Sequence, residues 1–379
     1  MTNVRIGRGH GVVAAVLLAA GVLAGCSATT SSETAAFGGD SSSRDANGGE
    51  SSAAPGEPGG FSGSSSGGES GATTPTTGEG NGENPLTGTL TAGVWDDNLN
   101  YDFFTKYITS LGARPGLPLF GAADRNAART RALAPRGAVS ELDVAFLVDT
   151  TGSMGDELRY IQRELSTIAG SIGARFPGTT PRFGLVFYRD LQDQYVTRSF
   201  DFSSDLQAVQ ANLDAQVTGG GGDYPEAVPE GLTQAVNLSW RQGSVARLAF
   251  WIADAPQHAT EAQTTRAAID TAVAKDVHVY PVAASGSDEL TEATMRTAAQ
   301  LTGGRYMFLT DDSGVGGEHK EPSIPCYQVT KFTTAMVRVV EGEMKGTKIE
   351  PAAGDVLRTV GNPTNGTCTL ASNEQVVIY

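Results

Sequence analysis

Leu142-Asp143-Val144-Ala145-Phe146-Leu147-Val148-Asp149-Thr150-Thr151-Gly152-Ser153-Met154 is the stretch on which the fold turns. Val144 to Val148 form an apolar run without alternation, which predicts a strand buried on both faces. Such a strand belongs in a parallel sheet covered by helices. Directly after it, Met154, Leu158, Ile161, Leu165, Ile168 and Ile172 recur at steps of four and three. They therefore share one helix face, and Ser153 with Asp156 offers a capping box at its start.

The same alternation continues outward. Strands are expected at Phe183 to Tyr188, at Leu248 to Ala253, at Val277 to Val282 and, last, at Arg305 to Leu309. Tyr195 to Phe202 reads as an edge strand leading into a helix from Asp205. Further helices are expected from Pro225 to about Trp240, from about Thr260 to Lys275, from Glu289 to Leu301 and from about Lys331 to Met344. This pattern predicts an α/β fold with a doubly wound, mostly parallel, Rossmann-like sheet. Ligands of such sheets bind outside the carboxyl ends of the strands, where the unusual polar residues of this chain fall.

The first strand ends in Asp149-Thr150-Thr151-Gly152-Ser153, which places oxygen-bearing side chains at i, i+2 and i+4 around a turn. A glycine-rich loop, Gly220-Gly221-Gly222-Asp223-Tyr224-Pro225-Glu226-Ala227, precedes a later helix, and Asp254 closes the central strand. In order and context these three loops resemble the metal-ion-dependent adhesion site of von Willebrand factor A domains, over about residues 141–345. The resemblance implies that Asp149, Thr151, Ser153, Asp223 and Asp254 surround one divalent cation. Mg²⁺ is the leading expectation, with Mn²⁺ and Ca²⁺ as alternatives. It also implies a protein partner that presents an acidic side chain to an open coordination position. The donors are all oxygen, as hard cations prefer, and there is no His/Cys cluster for zinc. Asp223 stands where many members have Thr; its added charge would make the cation less attractive to an incoming carboxylate.

Formal net charge is −15, which excludes the clustered basic surface that nucleic acid requires. Residues 1–25 show Arg5 and Arg8, then an apolar run from Val12 to Leu23, and read as a signal peptide. Leu23-Ala24-Gly25-Cys26 resembles the lipobox of bacterial lipoproteins. That resemblance implies cleavage before Cys26, acylation of Cys26, and anchorage in a bacterial cell envelope, on the outer membrane if the host is Gram-negative. From Ser27 to Asn84 there is no Ile, Leu, Val, Met, Tyr or Trp, so residues 26–84 are expected to form a disordered tether. Its r.m.s. reach would be roughly 40–45 Å.

Residues 85–137 are expected to be an accessory segment packed on the main domain, which is placed at 138–345. A short strand is expected around Leu90 to Trp95. Asp96 and Asp97 have the composition of calcium ligands, but paired acids of this kind are more often solvated. Residues 346–379 form a small C-terminal extension. Cys326 and Cys368 are either two buried thiols or a disulfide, and an exported chain favours the disulfide.

No nucleophile–base pair is recognisable, so the chain is expected to be a binder and not an enzyme. His258 reads as a solvated loop histidine. The alternatives are a metal-independent structural or envelope-assembly protein and a metal-dependent hydrolase.

Overall fold

The structure, a computed structural model, describes residues 88–118, 121–132, 137–315 and 317–378. The signal peptide 1–25, Cys26 and the tether 26–84 lie outside the described residues.

In chain order the elements are β1 (Thr91–Trp95), α1 (Tyr101–Ser110), α2 (Ala122–Ala132), β2 (Glu141–Asp149), α3 (Gly155–Arg175), β3 (Arg182–Tyr188), β4 (Thr197–Ser203) and α4 (Leu206–Asp214). They continue with α5 (Val228–Val236), β5 (Val245–Ala253), α6 (Ala262–Ala274), β6 (His278–Ala283), α7 (Glu289–Thr302), β7 (Tyr306–Leu309), β8 (Tyr327–Lys331) and α8 (Phe332–Lys345). Three short strands follow: β9 (Arg358–Val360), β10 (Thr367–Thr369) and β11 (Gln375–Val377).

One nine-stranded sheet has the order β4-β3-β2-β5-β6-β7-β1-β8-β9. Strands β3, β2, β5, β6 and β7 are mutually parallel and make the centre, whereas the flanking pairs are antiparallel. The buried run of β2 splits its side chains between two cores. Val144, Phe146 and Val148 pack with α3 and α8, while Ala145 and Leu147 pack with α5, α6 and α7. Leu158, Ile161, Leu165, Ile168 and Ile172 are all buried on the inner face of α3. Each such side chain contributes about 1.5–3 kcal/mol by leaving water. The chain leaves β2 toward β3 and β4, then returns on the other side of β2 as β5. The crevice of the sheet therefore opens between β2 and β5, above Asp149 and Asp254.

Two expectations are corrected. Ser153 does not cap α3, which starts without a side-chain cap after a 3₁₀ turn at Gly152–Met154. Tyr306–Leu309 is not the last strand, because β8 follows it with Tyr327 and Val329 buried.

The segment before the main domain is woven into the sheet. β1 lies between β7 and β8, with Ala92 opposite both Leu309 and Thr330. Nor are Asp96 and Asp97 solvated: they are only 4% and 2% exposed. Asp97 receives Arg296 at 2.7 Å, and the fully buried guanidinium also reaches Glu292 at 3.0 Å and lies over the Tyr107 ring at 4.1 Å. Asp96 accepts the Asn98 N–H at 2.9 Å and pairs with Lys348 and Arg305. These pairs bolt the N-terminal segment onto α7 and onto the chain beyond α8.

Cys326 and Cys368 are joined by a disulfide, their Cα atoms 6.5 Å apart. It ties the approach to β8 to the β10–β11 hairpin. The tail is held again where Asn100 exchanges two hydrogen bonds with the Val377 backbone, at 2.9 and 2.7 Å. The closed loop spans a sequence separation of 42, so replacing both cysteines by alanine is expected to cost about 4 kcal/mol. Urea denaturation of the oxidised protein and the variant measures this; equal midpoints would show that the bond constrains nothing. Among the described residues no helix is long and apolar enough to cross a membrane.

Candidate functional site

Three loops meet at the carboxyl edge of β2 and β5. The loop after β2 is pinned by the Thr150 N–H to Tyr188 O at 2.9 Å and by the Gly152 N–H to Gly220 O at 3.2 Å. The glycine loop answers with the Gly219 N–H on Thr150 O at 3.1 Å. Glycine is required at 220 and 221, where φ is +79° and +72°. A Cβ at Gly220 would collide with the Asp193 carboxylate, and one at Gly221 would crowd Glu226 and Thr151. The third loop joins through the Glu226 N–H on Pro256 O at 2.9 Å. Tyr224 locks the arrangement: its hydroxyl lies 3.1 Å from both the Asp254 and Gly286 carbonyl oxygens and accepts the Asp288 N–H at 2.9 Å.

The resulting cleft, about 670 Å³, is lined by Thr151, Ser153, Asp223, Glu226, Asp254 and Glu318 among others. Asp149, at the end of β2, is fully buried, and its Oδ1 accepts the N–H at 2.9 Å and the hydroxyl at 2.7 Å of Thr151, which lines the cleft. Burial, and then repulsion from Asp254, push the Asp149 carboxyl up to about 7 against the pull of those donors and of the Tyr188 hydroxyl. Burial likewise raises Asp254 to about 6, while the Ser153 hydroxyl favours its charged form. Asp149 Oδ2 and Asp254 Oδ1 are buried without a hydrogen-bond partner. Unpaired buried carboxylate oxygens are costly, and a hard cation is the counter-charge that such oxygens and hydroxyls suit.

The five residues read from the sequence therefore do not all hold equivalent places. Asp149, Thr151, Ser153 and Asp254 gather on one side. Asp223 stands exposed at the mouth. Among the described residues no three His, Cys, Asp or Glu side chains are gathered as a ready-made metal site, so hydroxyls and water would have to complete any coordination shell. The buried acid of the glycine loop is instead Glu226, 3% exposed, with Oε2 unpartnered. Burial, and then the charges of Asp149, Asp190, Asp254 and Asp193, push it up to about 9. Its signal in the sequence was faint: an acid three residues after Asp223, next to an apolar helix start. Glu157 of α3 also went unread. It is buried and accepts the Ser285 hydroxyl, and the Ser285 N–H at 3.2 Å, which braces the third wall.

His258 is not a merely solvated histidine. Its Nε2 lies 2.7 Å from Asp190 Oδ1. Burial alone would depress the imidazolium, but the Asp190 hydrogen bond and the charges of Asp190, Asp223 and Glu261 together hold the group above its ordinary value.

Residues 143–316 match the family model described as von Willebrand factor A domain. Among curated proteins, the chain is 31% identical over 122 residues to the alpha-protein kinase vwkA of Dictyostelium discoideum, covering 32% of this chain and 19% of that protein. It is 28% identical over 189 residues to the ariadne-like RING finger protein R811 of Acanthamoeba polyphaga mimivirus, covering 44% of this chain and 18% of that protein. The match thus spans about a fifth of the length of these curated relatives. Among solved structures, the conserved hypothetical protein BatB from Bacteroides thetaiotaomicron aligns at 14% identity, with a TM-score of 0.37, over 54% of this chain and 98% of its own. The pilus adhesin SpaC from Lactobacillus rhamnosus GG aligns at 16% identity, with a TM-score of 0.32, over 44% of this chain and 28% of its own.

Proposed function

The chain carries a von Willebrand factor A domain over residues 143–316, and from that premise we propose that it is a binding protein whose cleft holds a divalent cation and docks a partner protein. Domains of this family commonly mediate protein–protein interaction. The observation that carries the metal reading is the pair of buried oxygens without a hydrogen-bond partner, Asp149 Oδ2 and Asp254 Oδ1, at the carboxyl ends of the neighbouring strands β2 and β5. The Thr151 and Ser153 hydroxyls would hold the cation beside these two carboxylates, with Glu226 behind them and Asp223 at the mouth. Mg²⁺ is the first expectation, with Mn²⁺ and Ca²⁺ as alternatives. When bound, the cation supplies a coordination position that an oxygen of the partner can take. The chain's own part is to keep the cleft rigid, through the glycine loop and the Tyr224 hydroxyl.

Titration calorimetry with Mg²⁺, Mn²⁺ and Ca²⁺ on wild type and Asp149→Ala tests the cation site. Wild type is expected to bind and the variant to lose roughly a hundredfold or more in affinity, at the upper end of what even supporting residues of metal sites cost. Equal binding by both would end the metal reading. Partner capture from the native envelope that is undiminished by EDTA would favour a metal-independent assembly role.

Cys26 is proposed as the lipid anchor that holds this domain at the bacterial cell envelope, supported by the Leu23-Ala24-Gly25-Cys26 sequence and the apolar run before it. Acyl chains contribute about 0.8 kcal/mol per buried CH₂, and more than one is needed for stable anchorage. Cys26→Ser is expected to move the protein from the membrane to the soluble fraction, with mass spectrometry of wild type finding an acylated Cys26. A variant that stays fully membrane-bound would refute the anchor.

A further inference from the structure

We propose that the mouth of the cleft receives a basic side chain, Lys or Arg, from an apolar segment of the partner protein, in place of the carboxylate that the family resemblance implies. This rests on the reading that the cleft docks a protein, and does not depend on the cation.

Charge is the first argument. Asp223, Glu226, Asp254 and Glu318 line the cleft, and its described lining residues include no Lys, Arg or His. A divalent cation offsets two negative charges at most, and the Asp149 carboxylate lies beneath. Asp223 and Glu318, at the cleft wall, keep that excess at the surface a partner would meet. Basic side chains on neighbouring segments are engaged with other groups. Arg189 is buried, donates to Val217 O at 2.7 Å and stacks on Tyr195, and Lys320 lies toward Glu292. An incoming carboxylate would meet like charge, which costs several kcal/mol across an interface, whereas a cation meets its complement.

The second argument is the aromatic ring. Tyr224 is 41% exposed at the cleft, although its hydroxyl is fixed by three backbone groups. A ring held in place beside carboxylates is a platform for an ammonium or guanidinium group, and it has little freedom left to lose on binding. Glu226 Oε2, buried in the cleft lining without a hydrogen-bond partner, is a further group for an ammonium or guanidinium to meet, and an arriving cation favours its charged form.

The third argument is apolar. Leu191 and Val217 are 45% and 69% exposed, and both belong to the loops that wall the glycine loop. Leu191 follows Asp190 in the loop whose Asp193 carboxylate accepts the Gly221 N–H at 2.9 Å. Val217 lies two residues before Gly219, which is bonded to Thr150 O. Large apolar side chains held out to water on segments bonded to the glycine loop extend the binding face beyond the acids. A segment in which Lys or Arg alternates with Leu or Phe would cover them while its charge enters the cleft.

The test uses three labelled synthetic peptides of equal length, read by fluorescence anisotropy at about 0.15 M salt, where distant charges are screened. One combines Lys and Arg with Leu and Phe, the second replaces the bases with Asp and Glu, and the third keeps the bases but has Ser for the apolar residues. The full chain binding the first at least about tenfold tighter than the other two is the expected result, with and without EDTA. Leu191→Ser with Val217→Ser, and Asp223→Asn with Glu318→Gln, are each expected to lower that affinity about tenfold. Neutralising two remote exposed acids, Glu350→Gln with Asp355→Asn, is expected to leave it unchanged. Parity of the acidic peptide, no saturable binding of the basic apolar one, or an equal loss in the remote control overturns the proposal. Failure of the cation reading would instead show in the calorimetry of Asp149→Ala, whichever peptide is preferred.

Discussion

Metal-free protein is expected to lose stability steadily as pH rises from about 4 to about 9, and Asp149→Asn to remove a large part of that loss. Asp149 titrates near 7 in the fold against an ordinary value of 3.8, and Asp254 near 6 and Glu226 near 9 are displaced in the same sense. Across these windows the folded chain keeps protons that the unfolded chain has released. Stability therefore falls as pH rises through the interval and is flat above the folded values. A tenfold change in proton affinity corresponds to about 1.4 kcal/mol, so three coupled carboxyls displaced together amount to several kcal/mol. A cation that binds only the folded state works in the opposite direction. At a hundred times its dissociation constant it adds about 2.7 kcal/mol, and the gain grows with pH as the carboxylates shed protons. Denaturant melts of wild type and Asp149→Asn, with and without Mg²⁺ across this range, provide the measurement. Wild type should gain from Mg²⁺ and the variant should not; identical pH slopes and identical gains would place the strain, and the cation, elsewhere.

Arg296→Met is expected to destabilise the protein by about 3–5 kcal/mol, the range found when one partner of a buried ion pair is removed. The guanidinium is wholly buried between Asp97 and Glu292, and burial already raises Asp97 against the pull of Arg296. Removing the cation leaves two carboxylates in the interior with no counter-charge. Adding Asp97→Asn to the variant should recover part of the loss, and a double-mutant cycle in urea reads that coupling. A cost below about 1 kcal/mol would mean that Tyr107 and the surrounding rings hold β1 without the charge. The cleft should respond as well, because Glu292 also accepts the Ser323 N–H at 2.9 Å, a few residues after Glu318 of the cleft wall.

Much of this architecture was legible before folding. An unbroken apolar run at Val144 to Val148 can be stable only with both faces covered. The spacing from Leu158 to Ile172 allows only one buried helix face. That Asp149 and Asp254 end neighbouring strands was equally readable, because a parallel sheet brings the ends of β2 and β5 together; their grouping with Thr151 and Ser153 came from the family resemblance. The strands and helices rest on apolar periodicity, which neighbouring residues carry by themselves.

Tertiary structure alone decided the rest. Thr91 to Trp95 is a plausible strand in isolation, but its place between β7 and β8 depends on partners more than two hundred residues away in sequence. Asp96 and Asp97 look like a solvated pair until Lys348, Arg305 and Arg296 are brought to them. In the glycine loop, composition points to Asp223, yet positive φ at Gly220 and Gly221 and the Glu226 bond to Pro256 turn Glu226 inward and leave Asp223 at the mouth. Which of two nearby carboxylates is buried follows from how the whole loop packs, and residue type does not encode that. Apolar periodicity was enough for the central strands, their helices and the edge at which β2 and β5 end; folding decided which charges meet there, because electrostatic energy depends on distance and burial.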